Sequence, residues 1–95
     1  MMDSTSNSAP VLVYTTSSCS YCVAAKRLLS RLQIPFSEVD LTRNWALRER
    51  LSEENDGYRT VPMIYVEGRF IGGYDQLSAM DRQGRLGHLV PSARQ

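Results

Sequence analysis

Two cysteines stand with two residues between them in Cys19-Ser20-Tyr21-Cys22, and no other residues of this chain are as well suited to chemistry. A Cys-x-x-Cys pair serves three chemistries. Half of a zinc site is one, but zinc takes four ligands, or three plus water. The remaining soft ligand is His88, far along the chain. A structural disulfide is the second, and it would close so small a loop that it stabilises weakly. Thiol–disulfide exchange is the third, and position favours it. The pair falls where an apolar, strand-like run ends and a helical pattern begins. The unpaired N–H groups and dipole of a helix start favour an anion, and the thiolate is the nucleophile of exchange. Cys19 is therefore expected to attack. Cys22, one turn inside the helix and more shielded, is expected to resolve the mixed disulfide.

The elements that must hold this pair follow from periodicity. Val11 to Tyr14 is a continuous apolar run that suits a strand buried on both faces. After a polar turn, Ala25, Leu28, Leu29 and Leu32 recur at helical spacing, with Lys26, Arg27, Ser30 and Arg31 facing away. Pro35 ends that helix, and Phe36 to Asp40 reads as a second strand. Strand, helix and strand make one βαβ unit with parallel strands and a right-handed crossover. Thr42 is the expected N-cap of a second helix carrying Trp45, Leu47 and Leu51, closed by Asn55-Asp56-Gly57. Met63 to Val66 and Arg69 to Ile71 form a hairpin about Glu67-Gly68. Gly72-Gly73 precedes a third helix with Leu77 and Met80, and Leu86, Leu89 and Val90 suggest a last helical turn. The fold class is α/β: a four-stranded mixed sheet flanked by helices on both faces.

A chain of 95 residues makes one domain. Residues 1–9 are expected to be a disordered polar leader, and residues 10–95 the single domain. The net charge of +1 argues against a nucleic-acid footprint or a polybasic membrane surface. No apolar run approaches the roughly 20 residues of a membrane span. The leader lacks the basic start and apolar stretch of a secretory signal, so the expected location is cytoplasmic.

Three motifs, in order, bring a family into view: Cys19-Ser20-Tyr21-Cys22, Thr60-Val61-Pro62 and Gly72-Gly73-Tyr74-Asp75. With them the chain resembles a dithiol glutaredoxin from Val11 to about Val90. The resemblance implies a thioredoxin fold and a glutathione-dependent thiol–disulfide oxidoreductase. It acts on glutathione mixed disulfides and protein disulfides through Cys19 as nucleophile and Cys22 as resolving thiol. The implied glutathione site comprises Tyr21, Arg48, Thr60, Val61, Pro62, Gly73, Tyr74 and Asp75. In the family the proline corresponding to Pro62 is cis and faces the cysteines. Val61 would pair its backbone with the cysteinyl part of glutathione, like an added strand. Gly72-Gly73 lets the backbone approach closely, and the following helix start can hold the γ-glutamyl carboxylate. Asp75 would take the ligand's ammonium; it can also cap the helix, and the two roles are compatible. Arg48 either meets the glycine carboxylate or belongs to a solvated helix face. Arg59 is a further candidate cation near the thiolate.

Three positions depart from common members of that family. Thr16 stands where a Lys often meets the glycine carboxylate. Tyr74 replaces a frequent Cys. Ser20 replaces the usual Pro between the cysteines. Some members with Ser-Tyr there assemble a [2Fe–2S] cluster between two subunits, each giving its first cysteine, with two glutathiones giving the other thiols. A chain with two cysteines has too few to hold a cluster alone. Two readings thus stand side by side: a reductase, monomeric as the apo form, and a cluster-bridged homodimer, with Cys19 as the metal ligand, acting as carrier or sensor.

Overall fold

The computed structural model describes residues 9–90, so the leader expected at the N-terminus lies almost entirely outside the described residues. Strand β1 (Val11–Thr15) carries Val11, Val13 and Thr15 fully buried on one face. Leu12 and Tyr14, on the other face, are only half-buried, so burial on both faces does not hold. The reason is coverage. Helix α1 (Ser20–Arg31) and helix α3 (Tyr74–Arg82) pack together over the first face, with Ala25, Leu28, Leu29 and Leu77 against Val11, Val13 and Ile64. The second face has only helix α2 (Trp45–Glu54), whose Leu47 and Leu51 meet Tyr14, Met63 and Tyr65.

Strand β2 (Phe36–Asp40) pairs parallel to β1. Strands β3 (Met63–Val66) and β4 (Arg69–Gly72) complete an order β2-β1-β3-β4, with β3 antiparallel to both of its neighbours. The β3–β4 turn is made by Glu67 and Gly68, both left-handed at φ 52° and 86°, the backbone a two-residue hairpin demands. A short 3-10 turn, Gly87–Leu89, buries Leu89 and ends the described chain at Val90. The four-stranded mixed sheet with helices on both faces is as expected.

Helix ends depart from expectation, and each departure has a local cause. Helix α1 stops at Arg31, well short of Pro35. Gln33 turns left-handed at φ 61°, its N–H bonding Ser30 O, while the Ile34 N–H reaches back to Leu29 O at 2.9 Å. That is a Schellman closure, and Ile34 buries itself beneath it. The N-cap of α2 is Asn44, whose Oδ1 accepts the Leu47 N–H at 3.1 Å, and not Thr42. The Thr42 Oγ1 instead accepts the Ser17 N–H at 2.8 Å, tying the loop before Cys19 to the end of β2. Helix α2 carries Trp45, Leu47 and Leu51 as expected, with Leu51 buried and Trp45 67% exposed.

Beneath the start of α1 lies a small polar cluster. The Glu38 carboxylate accepts from Lys26 Nζ at 2.9 Å and from the buried Thr15 Oγ1 at 2.7 Å. Lys26, and then Thr15, hold the Glu38 carboxyl below its ordinary range. A lowered carboxyl contributes stability above the unfolded-chain value, and that contribution is lost as pH falls. Glu38→Gln should therefore cost about 1 kcal/mol or less at neutral pH, because the pair is partly hydrated. The gap between the two chains should close near pH 3. Urea midpoints at the two pH values check it.

Candidate active site

Cys19 is the N-cap of α1, extended at φ −121° and ψ 106°. Its Sγ accepts the Cys22 N–H at 3.1 Å, one of the orphan donors of the helix start. The Cys19 thiol also reaches the Val61 carbonyl at 3.6 Å. Cys19 is half-buried, whereas Cys22 is only 2% exposed. Burial, and then the hydrogen bond with Cys19, push the Cys22 thiol up to about 12, against a backbone hydrogen bond from Thr16 and the charge of Lys26. The two sulfurs are thus unequal. One faces out from a helix start with a donor aimed at it; the other is held protonated inside.

Opposite the pair, the Val61–Pro62 peptide is cis. Beside it opens a cleft of about 280 Å³ lined by Tyr21, Tyr58, Thr60, Val61, Pro62, Gly73, Tyr74, Asp75 and Gln76. Every glutathione-site residue expected from sequence lines it except Arg48. Arg48 lines a neighbouring hollow with Trp45, Glu49, Ser52 and Arg59, and its guanidinium donates to the Arg59 carbonyl at 3.2 Å. The Arg59 side chain leans toward Glu49 at 3.8 Å. Neither cysteine lines the cleft beside Pro62, but Cys19 adjoins it, its thiol reaching the carbonyl of the lining residue Val61. A larger hollow, about 840 Å³, opens at the other end of the sheet around Pro10, Leu12 and Gly68.

Asp75 does not cap α3. Gly73 is the N-cap, and its N–H donates to Gln76 Oε1 at 2.8 Å. Asp75 sits exposed in the first turn, and no ion pair among the described residues uses it. Gly73 has a steric reason to be glycine: an added Cβ would lie 2.7 Å from Tyr58 Oη and 3.3 Å from Pro62 O. Sequence reasoning missed two cleft residues. Gln76 was findable, since it stands three residues past the cap, the spacing of a capping box. Tyr58 was not, because its place depends on a tertiary edge-to-face contact with Phe70, with ring centroids 5.0 Å apart.

Among the described residues no three His, Cys, Asp or Glu side chains gather as a metal set, and His88 meets Glu67 at 3.2 Å. No described helix is long and apolar enough to cross a membrane.

Comparison with known proteins bears on this geometry directly. The glutaredoxin family model matches residues 11–71. A glutaredoxin of Pseudomonas aeruginosa is 40% identical over 81 residues, covering 85% of this chain and 95% of that protein. Glutaredoxin 3 of Escherichia coli is also 40% identical, over 82 residues, covering 86% of this chain and 98% of the relative. Among solved structures, a buckwheat glutaredoxin–glutathione complex superposes with a TM-score of 0.80 at 28% identity, covering 93% of this chain and 82% of that one. Such neighbours have the thioredoxin fold, and this chain shares it. Since the family model takes in well over half of the sequence and bacterial relatives match nearly end to end, the chain belongs to the glutaredoxin family.

Proposed function

We propose that this glutaredoxin reduces glutathione mixed disulfides by attack of Cys19, with Cys22 needed only for protein disulfides. The observation that carries the reading is the inequality of the two sulfurs: Cys19 half-buried, next to the cleft residue Val61 and with the Cys22 N–H aimed at it, and Cys22 buried. The Cys19 thiolate forms a bond to the glutathionyl sulfur of a mixed disulfide. The substrate S–S bond breaks, and the departing thiolate takes a proton from water. A second glutathione thiolate then attacks the Cys19–glutathione disulfide, releasing oxidised glutathione and restoring the Cys19 thiolate. With a protein disulfide, Cys22 loses its proton to water and attacks Cys19 of the mixed disulfide; the reduced protein thiol leaves, and two glutathiones reduce the Cys19–Cys22 disulfide that results, giving oxidised glutathione. Val61 offers backbone pairing to the ligand, and Asp75 a charge for its ammonium. A reducing compartment such as the cytoplasm suits this chemistry.

The test couples turnover to NADPH through glutathione reductase, with the mixed disulfide of glutathione and 2-mercaptoethanol as substrate. Cys22→Ser should keep most of this activity and lose reduction of a protein disulfide. Loss of both in a folded Cys22→Ser protein would sink the one-thiol scheme.

A second reading rests on the same inequality. With Cys22 buried, each chain offers one accessible sulfur, so a [2Fe–2S] group with its four ligands fits only as a group shared by the Cys19 of two copies and two glutathione thiols. Bound there, such a group would supply one-electron chemistry or cluster transfer. Anaerobic purification with glutathione should then give a coloured dimer that dissociates as colour fades. A colourless monomer after reconstitution would exclude it.

A further inference from the structure

Exposed apolar side chains are few, and their distribution along α1 is uneven. Tyr21 is 62% exposed and Val23 44% exposed, so both residues flanking the buried Cys22 face out as apolar groups. Further along the same helix the exposed residues are Arg27, Ser30 and Arg31. The helix is thus apolar on its outer side only beside the reactive pair. A lone surface Tyr is ordinary, but Tyr21 is not alone. Its ring lies 6.2 Å from that of Tyr74, tilted by 31°. Tyr74 is the first residue of α3 and packs against the main core, so it anchors the pair. Both rings line the cleft beside Val61, whose carbonyl the Cys19 thiol reaches at 3.6 Å.

Exchange at sulfur constrains where the substrate's two arms go. Attacking, central and departing sulfurs lie nearly in line. With the glutathionyl arm in the cleft and its sulfur over Cys19, the departing thiol leaves on the side away from Cys19, outward past the rim. The rim there is aromatic. We propose that Tyr21 and Tyr74 form an aromatic rim that selects, among glutathione mixed disulfides, those whose departing thiol carries an apolar or aromatic group. This rests on the reading of Cys19 as the nucleophile toward such disulfides. The bond changes are those already given: the Cys19–glutathione bond forms, the substrate S–S bond breaks, and the apolar thiolate is protonated by water. A flat apolar substituent gains contact with the rings as the departing arm swings out, whereas a hydroxylated one stays hydrated.

Two mixed disulfides of glutathione separate the effects: one with benzyl thiol, one with 2-mercaptoethanol. Their thiols have similar acidity, which removes leaving-group strength as the cause of a difference. The wild type should favour the benzyl substrate in kcat/KM by about fivefold, the worth of one aromatic pair. Tyr21→Ala and Tyr74→Ala should each bring the ratio close to one, and Tyr74→Phe should retain it. Tyr21 is exposed, so Tyr21→Ala carries the test even where Tyr74→Ala fails to fold. A ratio near one in the wild type, or a ratio preserved in both alanine variants, overturns the rim. Failure of the wild type to turn over either disulfide overturns the Cys19 chemistry beneath it as well.

Discussion

Cys19→Ser should lower turnover of glutathione mixed disulfides by at least about a thousandfold, the scale of losing a catalytic nucleophile, and should leave the fold intact. Both halves follow from where Cys19 sits. As the N-cap of α1 it accepts the Cys22 N–H through its side chain at 3.1 Å. Serine is among the best N-cap residues, so its Oγ takes over that bond and the helix start keeps its cap. What serine lacks is sulfur: no mixed disulfide with glutathione can form. Cys22 cannot stand in, since it is 2% exposed and burial, the largest of the causes that push its thiol up, persists in the variant. Its thiolate is therefore scarce at neutral pH, and the thiolate is the attacking form. Coupled turnover and thermal unfolding on the same sample check the pair of claims. A variant that keeps more than a tenth of the activity would show that Cys22, or another group, is the nucleophile.

The same N-cap geometry shows what sequence can and cannot carry. That a helix begins at the cysteines was legible, because Ala25, Leu28 and Leu29 fix its buried face and the apolar Val11 to Tyr14 run fixes the strand before it. The hairpin about Glu67-Gly68 was legible for a like reason: two short β-rich runs and a glycine leave few alternatives. The start of α2 was not. Thr42 and Asn44 are both good caps, and they stand two residues apart. The choice between them was made at a distance, by the Ser17 N–H bonding the Thr42 hydroxyl. A pattern of local preferences contains no term for that bond. Nor does the pattern say which apolar residues of α2 turn inward: Leu51 is buried, whereas Trp45, the first residue of the helix, stays exposed.

At the site the division is similar. The motifs located Tyr21, Thr60, Val61, Pro62, Gly73, Tyr74 and Asp75, and folding brings all of them to one cleft. Arg48 belongs to none of the three motifs, and α2 directs it into the next hollow, toward the Arg59 carbonyl. Tyr58 had no motif at all. It enters the cleft because its ring packs edge-to-face on Phe70 and its hydroxyl lies where a side chain at Gly73 would sit.

Asp75→Ala should lower kcat/KM for glutathione mixed disulfides by about 10- to 100-fold, the range of a hydrogen bond between charged groups. The proposed partner is the ligand's ammonium. Asp75 is free for that role because Gln76 has taken over the capping: its Oε1 accepts the Gly73 N–H at 2.8 Å. The Asp75 carboxylate is exposed in the first turn of α3, and no ion pair among the described residues uses it. Removing it should therefore cost the fold little: the loss of a favourable carboxylate–dipole interaction, about 0.3–1 kcal/mol. A general loss of activity would not by itself identify the ammonium, so the substrate must change too. In a mixed disulfide whose glutathione arm carries glutaryl in place of γ-glutamyl, the ammonium is absent. The wild type should handle that substrate about as poorly as Asp75→Ala handles the natural one, and Asp75→Ala should lose almost nothing further. Full coupling in this double cycle places the ammonium against Asp75. Independent, additive losses would mean that Asp75 acts by supporting the helix start, and that the ammonium binds elsewhere along the cleft.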